Sequence, residues 1–357
     1  MMNSEDIIFN EIAGKGGNLG QIILNRPAAL NALTQTMIQQ MAKQLTEWSS
    51  ADHIKAVIIR GAGDKAFCAG GDIRKLYDVG KINPAEALTF FYDEYRLNYQ
   101  IKCLKKPYIS FLDGITMGGG AGVSVHGSHR VATERFVFAM PETGIGFFTD
   151  IGGSYFLSRC PDNMGIYFGL TGARIKTADA FYAGIINHII PQTKLDAVIN
   201  QLAETEFDQS AHQQTSDILQ QFSVTPETPS LINHRDDIKN CFAANTVEEI
   251  LDLLNQNNST WCQEAVKIMS TKSPTSLKIV LEQIHRGAKL EFASCMQMEY
   301  GLVKHFLAGH DLYEGIRAVL VDKDQNPHWN PAKLSDVSNE IINIYFEPIE
   351  PALPLDN

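Results

Sequence analysis

Residues 108–122, YISFLDGITMGGGAG, run from an apolar stretch through Asp113-Gly114 into a block of glycines. Tyr108 to Leu112 reads as a buried strand, Asp113-Gly114 as a turn, and the small residues from Met117 to Val125 as a tightly packed helix start. Glycine is required where φ is positive or where a ligand must approach the backbone closely. A second stretch with the same grammar lies upstream. Ala56 to Ile59 is a short apolar strand, Arg60-Gly61-Ala62-Gly63 closes it, and Ala66-Phe67-Cys68-Ala69-Gly70-Gly71-Asp72-Ile73-Arg74 brings a second glycine element.

The same order extends outward in both directions. LGQIIL at 19–24 predicts a strand stopped by Asn25-Arg26-Pro27, and Thr34 can cap a helix with Met37, Met41, Leu45 and Trp48 on its apolar face. Leu88, Phe91, Tyr95 and Tyr99 give a helix over about 84–104, interrupted by the charges of Asp93, Glu94 and Arg96. Phe136 to Phe138 and Ile185 to Ile190 predict further strands, with a helix opening near Tyr155. Strands alternating with helices place the chain in the α/β class. Polar residues with Pro226 and Pro229 make 200–250 a candidate surface-exposed connection, and 245–320 is again helical in pattern. The expected division is a catalytic core at 1–200 and an accessory, mainly helical region at 201–357.

Composition narrows the functional classes. The 357 residues are 44% apolar and 20% charged, which fits a globular protein with a sizeable core. A formal charge of −11 argues against a broad nucleic-acid surface, which works through excess Lys and Arg. The start MMNSEDIIFN puts Glu5 and Asp6 where a secretory signal would carry cations, and apolar runs stop short of a bilayer span. Six scattered cysteines form no CxxC pair, which suits reduced thiols. A cytoplasmic protein is therefore expected, with no nucleic-acid or membrane partner. A homo-oligomer stays open, since apolar faces cannot be divided between core and interface.

The chemistry rests on the two glycine elements taken together. Neither carries a dinucleotide fingerprint or a phosphate loop. The first alone could be a tight turn into a helix capped near Asp72. Each follows a strand, however, and each could direct a backbone N–H at the same oxygen. Two such donors favour the charge that develops on a carbonyl oxygen in acyl transfer. Glu142 and Asp150 lie in glycine-bearing loops, PETGIG at 141–146 and TDIGGS at 149–154. Either could be a nucleophile or general base, or a local cap.

These stretches carry a resemblance. Asn25-Arg26-Pro27, AFCAGGDIR, DGITMGGGAG, MPETGIGFFTDIGGSYFL at 140–157, SPTSLKI at 273–279 and EGIRAVLVDKDQNPHW at 314–329 resemble the enoyl-CoA hydratase/isomerase, or crotonase, superfamily. Within it they resemble the 3-hydroxyisobutyryl-CoA hydrolase branch, over nearly the whole chain. The resemblance implies a crotonase-like spiral of ββα units with an additional C-terminal helical region that completes or covers the acyl-CoA site. It implies Gly71 and Gly119 as the oxyanion-hole N–H donors, Glu142 as the principal catalytic carboxylate and Asp150 as its partner. Glu94, otherwise a solvated surface residue, is implied as a substrate contact alongside Gly119, Glu142 and Asp150.

Hydratases of the superfamily carry a glutamate shortly after the glycine block, and the matching position here is Gly122. The implied reaction is therefore hydrolysis of 3-hydroxyisobutyryl-CoA or a similar short 3-hydroxyacyl-CoA, as in valine catabolism. The competing readings are an enoyl-CoA hydratase or isomerase and a non-enzymatic CoA-binding regulatory or assembly protein. Coenzyme A enters as part of the substrate, with no separate cofactor expected. Arg26, Lys65 and Arg74 are candidate cations for its phosphates. His126, His129 and His188 lack metal spacing, so no metal is expected, and Cys68 has no base beside it. Thr149, where the branch commonly has proline, is expected to loosen the Asp150 loop, and Gly144 stands where alanine is common.

Overall fold

A computed structural model describes residues 5–208 and 210–355. Two sheets organise it. The larger contains β1 (Ile7–Ile12), β2 (Asn18–Leu24), β3 (Ile54–Gly61), β5 (Tyr108–Leu112), β7 (His129–Ala132) and β10 (His188–Ile189), hydrogen-bonded in that order. The smaller contains β4 (Ala66–Cys68), β6 (Ile115–Met117), β8 (Val137–Ala139) and β9 (Ile175–Lys176). The pairs β1–β2 and β8–β9 are antiparallel, and the others are parallel.

The chain climbs this pair of sheets as a spiral. β3 and then β4 are followed by helices Ile73–Gly80 and Pro84–Cys103, and β5 and then β6 by the short helix Gly119–Gly122. Each coil thus lays one strand in each sheet before a helix, which is the ββα spiral implied by the resemblance. Parallel strands require such crossovers. Close approach enforces small residues at the sheet-to-sheet corners. A Cβ on Gly61 would stand 2.6 Å from Phe67 O, and one on Gly114 would stand 2.5 Å from Lys65 O.

Alternation along β3 separates two apolar layers. Val57 and Ile59 face the main core, while Ala56 and Ile58 face a second cluster with Ile109, Phe111 and Val131. The cover over that second face corrects the expectation of a surface connection at 200–250. Helices Leu195–Ala203 and Ala211–Phe222 bring Val198, Leu202, Ile218 and Leu219 onto the sheet. Arg235–Cys241 and Val247–Gln256 are also helical. The Gln-rich sequence of 211–222 hides a narrow apolar stripe that the sheet face recruits. The helices Gln35–Ser50 and Pro84–Cys103 match their predicted spans closely, and Thr34 Oγ1 accepts from Met37 N.

The main core continues into the C-terminal helices. Leu277, Val280 and Ile284 of helix Pro274–Gly287 and Met296, Leu302 and Val303 of helix Phe292–Ala308 belong to the same apolar cluster as Phe91 and Tyr95. Among the described residues, no helix is long and apolar enough to cross a membrane.

Candidate active site

The two glycine elements face each other. Leu33 N donates to Gly70 O and Asp72 N donates to Leu33 O, at 2.8 and 2.9 Å. This parallel bridge leaves the N–H of Gly71 turned away from Leu33. Gly119 is the first residue of its short helix, so its N–H has no acceptor within that helix. A methyl group on Gly119 would stand 3.2 Å from Gly71 N and 2.5 Å from Glu94 Oε1, and one on Gly70 would stand 3.9 Å from Gly119 N. Gly70 and Gly118 also hold φ of 124° and 47°, where a side chain is strained. Cys68 sets a limit on the second element, because a Cβ on Gly120 would meet its backbone O at 2.2 Å. Burial pushes its thiol up to about 12, so it is inert as a nucleophile at neutral pH.

A cleft of about 630 Å³, counting its open mouth, lies between these elements. Gly71, Gly119, Glu94, Glu142 and Asp150 all line it, with Phe90, Phe91, Phe147 and Leu312 supplying apolar wall. The structure thus brings together five of the residues named from the sequence. The three acids are 2%, 5% and 6% exposed for Glu94, Glu142 and Asp150. Glu94 lies on the buried face of its helix, with Phe91, Tyr95, Leu97 and Asn98. Glu142 opens a short 3-10 turn, Glu142–Ile145, that ends at Gly146 with φ of 68°. Among the described residues, Glu94 Oε1 and Glu142 Oε2 are buried without a hydrogen-bond partner.

Three desolvated carboxylates in one cleft cannot all ionise freely. Burial first, then the charge of Asp150, holds Glu94 and Glu142 well above the usual carboxylate range. Burial likewise pushes Asp150 up to about 7, and the Tyr95 hydroxyl opposes that rise by donating to Oδ2 at 3.1 Å. The group therefore holds protons near neutrality that it can exchange with a substrate.

The turn carrying Asp150 is held at nearly every residue. Gln283 Nε2 donates to Thr149 O at 2.6 Å, and His126 Nε2 bonds Ile151 O at 2.7 Å. Burial drives His126 down to about 3, so the ring is neutral and donates from Nε2. Glu299 accepts from Gly152 N at 2.7 Å and from Ser154 N at 2.9 Å. Thr149 therefore does not loosen this turn: it is fully buried, and its carbonyl is anchored.

The position after the glycine block is closed. A Cβ on Gly122 would stand 2.9 Å from Asn98 Nδ2 and 3.0 Å from Ile151 Cβ. A carboxylate side chain there would have to displace the Asn98 amide and crowd Ile151.

The candidate cations do not line the cleft. Arg26 donates to Ala32 O at 2.6 Å and pairs with Asp72 at 3.2 Å, which fastens the first glycine element from behind. Arg74 is exposed and lies 3.5 Å from Asp78, and Lys65 is exposed. Among the described residues, no group of three or more His, Cys, Asp or Glu is placed to hold a metal ion.

A family model described as enoyl-CoA hydratase/isomerase matches residues 19–346. The chain belongs to the enoyl-CoA hydratase/isomerase family. Among its curated relatives in that family, the mitochondrial 3-hydroxyisobutyryl-CoA hydrolase of Rattus norvegicus is 45% identical over 338 residues, covering 93% of this chain and 87% of the relative. That of Homo sapiens is 43% identical over 354 residues, covering 98% and 91%. Among solved structures of the family, a carnitinyl-CoA dehydratase from Mycobacterium thermoresistibile superposes with a TM-score of 0.91 at 38% identity, over 99% of both chains. An enoyl-CoA hydratase from Rhodobacter sphaeroides 2.4.1 gives 0.87 at 32% identity, over 98% of this chain and 100% of the other.

The relatives correct one expectation. The cytoplasmic placement is overturned, because the matched 3-hydroxyisobutyryl-CoA hydrolases are all named as mitochondrial proteins.

Tyr95, Asn98, His126, Gln283 and Glu299 were not singled out as site residues from the sequence. Tyr95 and Asn98 share a helix face with Glu94, so the burial of Glu94 could have pointed to both. Gln283 and Glu299 reach the Asp150 turn across more than 130 residues of chain, a closure that local pattern does not encode.

Proposed function

We propose that this member of the enoyl-CoA hydratase/isomerase family hydrolyses the thioester of 3-hydroxyisobutyryl-CoA, or of a similar short 3-hydroxyacyl-CoA, to the free hydroxy acid and CoA. The observation that carries this reading is the closed position at Gly122 beside an acid cluster that is otherwise intact. Hydration of a double bond in this family draws on a glutamate there, and Asn98 and Ile151 fill its space. The names of the curated relatives support the same reaction class, whereas the two solved structures bear dehydratase and hydratase names.

In this reading the thioester oxygen lies between the N–H groups of Gly71 and Gly119. Glu142, whose Oε1 lies 3.4 Å from where a Cβ on Gly118 would stand, reacts as the carboxylate while the proton shared by the acid cluster rests on Asp150. Attack of the Glu142 oxygen on the carbonyl carbon gives a tetrahedral oxyanion held by the two donors. Collapse breaks the C–S bond and the CoA sulfur leaves with a proton from Asp150; water then adds to the mixed anhydride, which gives the hydroxy acid, regenerates the Glu142 carboxylate and returns a proton to Asp150. If Glu142 instead removes a proton from water, the water oxygen adds to the carbonyl carbon, and the tetrahedral oxyanion that results is held by the same two donors and breaks the same C–S bond to give the hydroxy acid directly. Asp150, held by Tyr95, positions the water or the substrate hydroxyl, and Glu94 orients that polar end of the acyl group. The cleft is partly aromatic, with Phe90, Phe91 and Phe147 in its lining, which suits a small branched acyl chain.

Residues 201–357 act as the cover of the acyl-CoA site, since Leu312 joins its wall. The exposed cations Lys65 and Arg74 are left for the outer, phosphate-bearing end of CoA. Two signals measured on one sample test the reading. Thiol release from 3-hydroxyisobutyryl-CoA without change in an enoyl-CoA absorbance band is expected. Loss of the enoyl band from an unsaturated acyl-CoA, with no thiol released from either substrate, would replace hydrolysis by hydration.

A further inference from the structure

Glu299 is a fully buried carboxylate with no cationic partner among the described residues. Such a group is costly to bury unless its oxygens are satisfied. Its partners are all in the turn that follows Asp150. Oε2 accepts from Gly152 N at 2.7 Å, and Oε1 accepts from Ser154 N at 2.9 Å and lies 2.5 Å from Ser154 Oγ. It caps the start of helix Gly153–Phe156 from a different helix, Phe292–Ala308.

The turn it caps is not one the chain adopts easily. Ile151 holds φ of 54°, a left-handed conformation that is unfavourable for a β-branched residue, and Gly152 follows at 81°. A Cβ on Gly152 would meet His126 and Phe292 at 2.7 and 2.8 Å, so the backbone is also pressed from both sides. Strain of this kind persists only where surrounding contacts impose it. Asp150 leaves this turn and enters the cleft.

We propose that Glu299 is a positioning residue for thioester hydrolysis: by accepting from both Gly152 N and Ser154 N it fixes the strained turn that presents Asp150 to the substrate. The C-terminal helices thereby take part in the reaction geometry as well as covering the site. The proposal rests on the role given to Asp150 above. It does not depend on the charge of Glu299, because both oxygens accept hydrogen bonds. An amide in its place would turn an NH2 toward one of the two backbone donors.

Glu299→Gln is the variant that tests this, with Asp150→Asn and the core-opening Leu302→Ala measured in parallel. The titratable groups facing the turn are Asp150, Tyr95, Glu94 and Glu142 from the cleft, His126 across Gly152, and Cys295 on the helix of Glu299 itself. For Glu299→Gln we expect kcat to fall about tenfold or more with KM within about threefold, and the pH profile of kcat to move by about half a unit or more. Leu302→Ala should lose thermal stability yet keep kcat within about twofold and leave the pH profile unmoved. A folded Glu299→Gln enzyme with the kcat and pH profile of the wild type overturns the proposal. If that variant does not fold, Glu299→Asp replaces it: its shorter stem keeps the two oxygens but withdraws them from Gly152 N and Ser154 N, and a drop of about fivefold or more in kcat is expected; an unchanged kcat and profile overturns the proposal. Normal turnover by Asp150→Asn would instead remove the role of Asp150, a failure of the proposed function and distinguishable from a failure at Glu299 alone.

Discussion

The hydroxyl of Tyr95 donates to Asp150 Oδ2 at 3.1 Å inside the acid-lined cleft, and both residues are buried. This bond opposes the burial that pushes Asp150 up to about 7. Tyr95→Phe removes the donor and keeps the ring, so Asp150 should titrate at higher pH. A hydrogen bond to a charged group contributes about 1.5–3 kcal/mol, which corresponds to a rise of about one unit or more. The acid limb of the pH–kcat profile should move upward accordingly, and an unmoved limb would detach Asp150 from that limb.

The close approach of Gly119 to Gly71 N and Glu94 Oε1 predicts a local effect of a single methyl group. Gly119→Ala places a Cβ 2.5 Å from the Glu94 carboxylate, whose end can swing aside, and 3.2 Å from a backbone nitrogen, which cannot. The fold should survive by circular dichroism. Turnover should drop about 100-fold or more, the scale of losing an oxyanion donor. Turnover near the wild-type value would remove the paired-donor geometry.

Restoring a glutamate at 122 should not create a hydratase. The Cβ alone would crowd Asn98 and Ile151, and overpacking of this kind costs about 1–3 kcal/mol. Gly122→Glu is expected to melt several degrees lower and to show no gain in loss of enoyl absorbance. A stable variant that hydrates an enoyl-CoA would mean that the helix pair opens more readily than its packing suggests.

Stability should depend on pH through the same acids. Asp150 has a folded value near 7 against an ordinary 3.8, so between these limits the unfolded chain gives up its proton more readily than the folded one. Stability from this group is therefore full below about 4 and is lost as pH rises through about 7. Asp150→Asn removes the penalty of ionising the buried group. Its melting temperature, measured without substrate, should exceed that of the wild type by a few degrees at pH 8, and the gap should close near pH 4. A gap that widens toward acid would reverse the sign and contradict the burial argument.

Much of this arrangement was legible before any coordinates. The glycine blocks at 70–71 and 118–120 mark where two backbones must meet, and the cap at Thr34 and the apolar faces of 35–50 and 84–103 follow from helical spacing. Glu94 was readable as a cleft residue only through the resemblance, because charge on both sides of it, at Asp93 and Arg96, mimics a solvated face. The polar stretch after 200 was misread because its helices present thin apolar stripes to a sheet face formed by distant residues such as Ile58 and Phe111. The Asp150 clamp was not readable at all, since Glu299 and Gln283 meet the turn only once the spiral is closed by the C-terminal helices.

The reacting group at the centre of this account is the Glu142 carboxylate, whose Oε2 has no hydrogen-bond partner among the described residues in the cleft that Gly71 and Gly119 also line. The most direct measurement is kcat for thiol release from 3-hydroxyisobutyryl-CoA by Glu142→Gln beside the wild type, with folding checked by circular dichroism. The neutral amide fits the same space and cannot attack the carbonyl or take a proton from water. A loss of about 1,000-fold or more in kcat, in a folded protein, is the predicted result. Turnover within a few-fold of the wild type would contradict it.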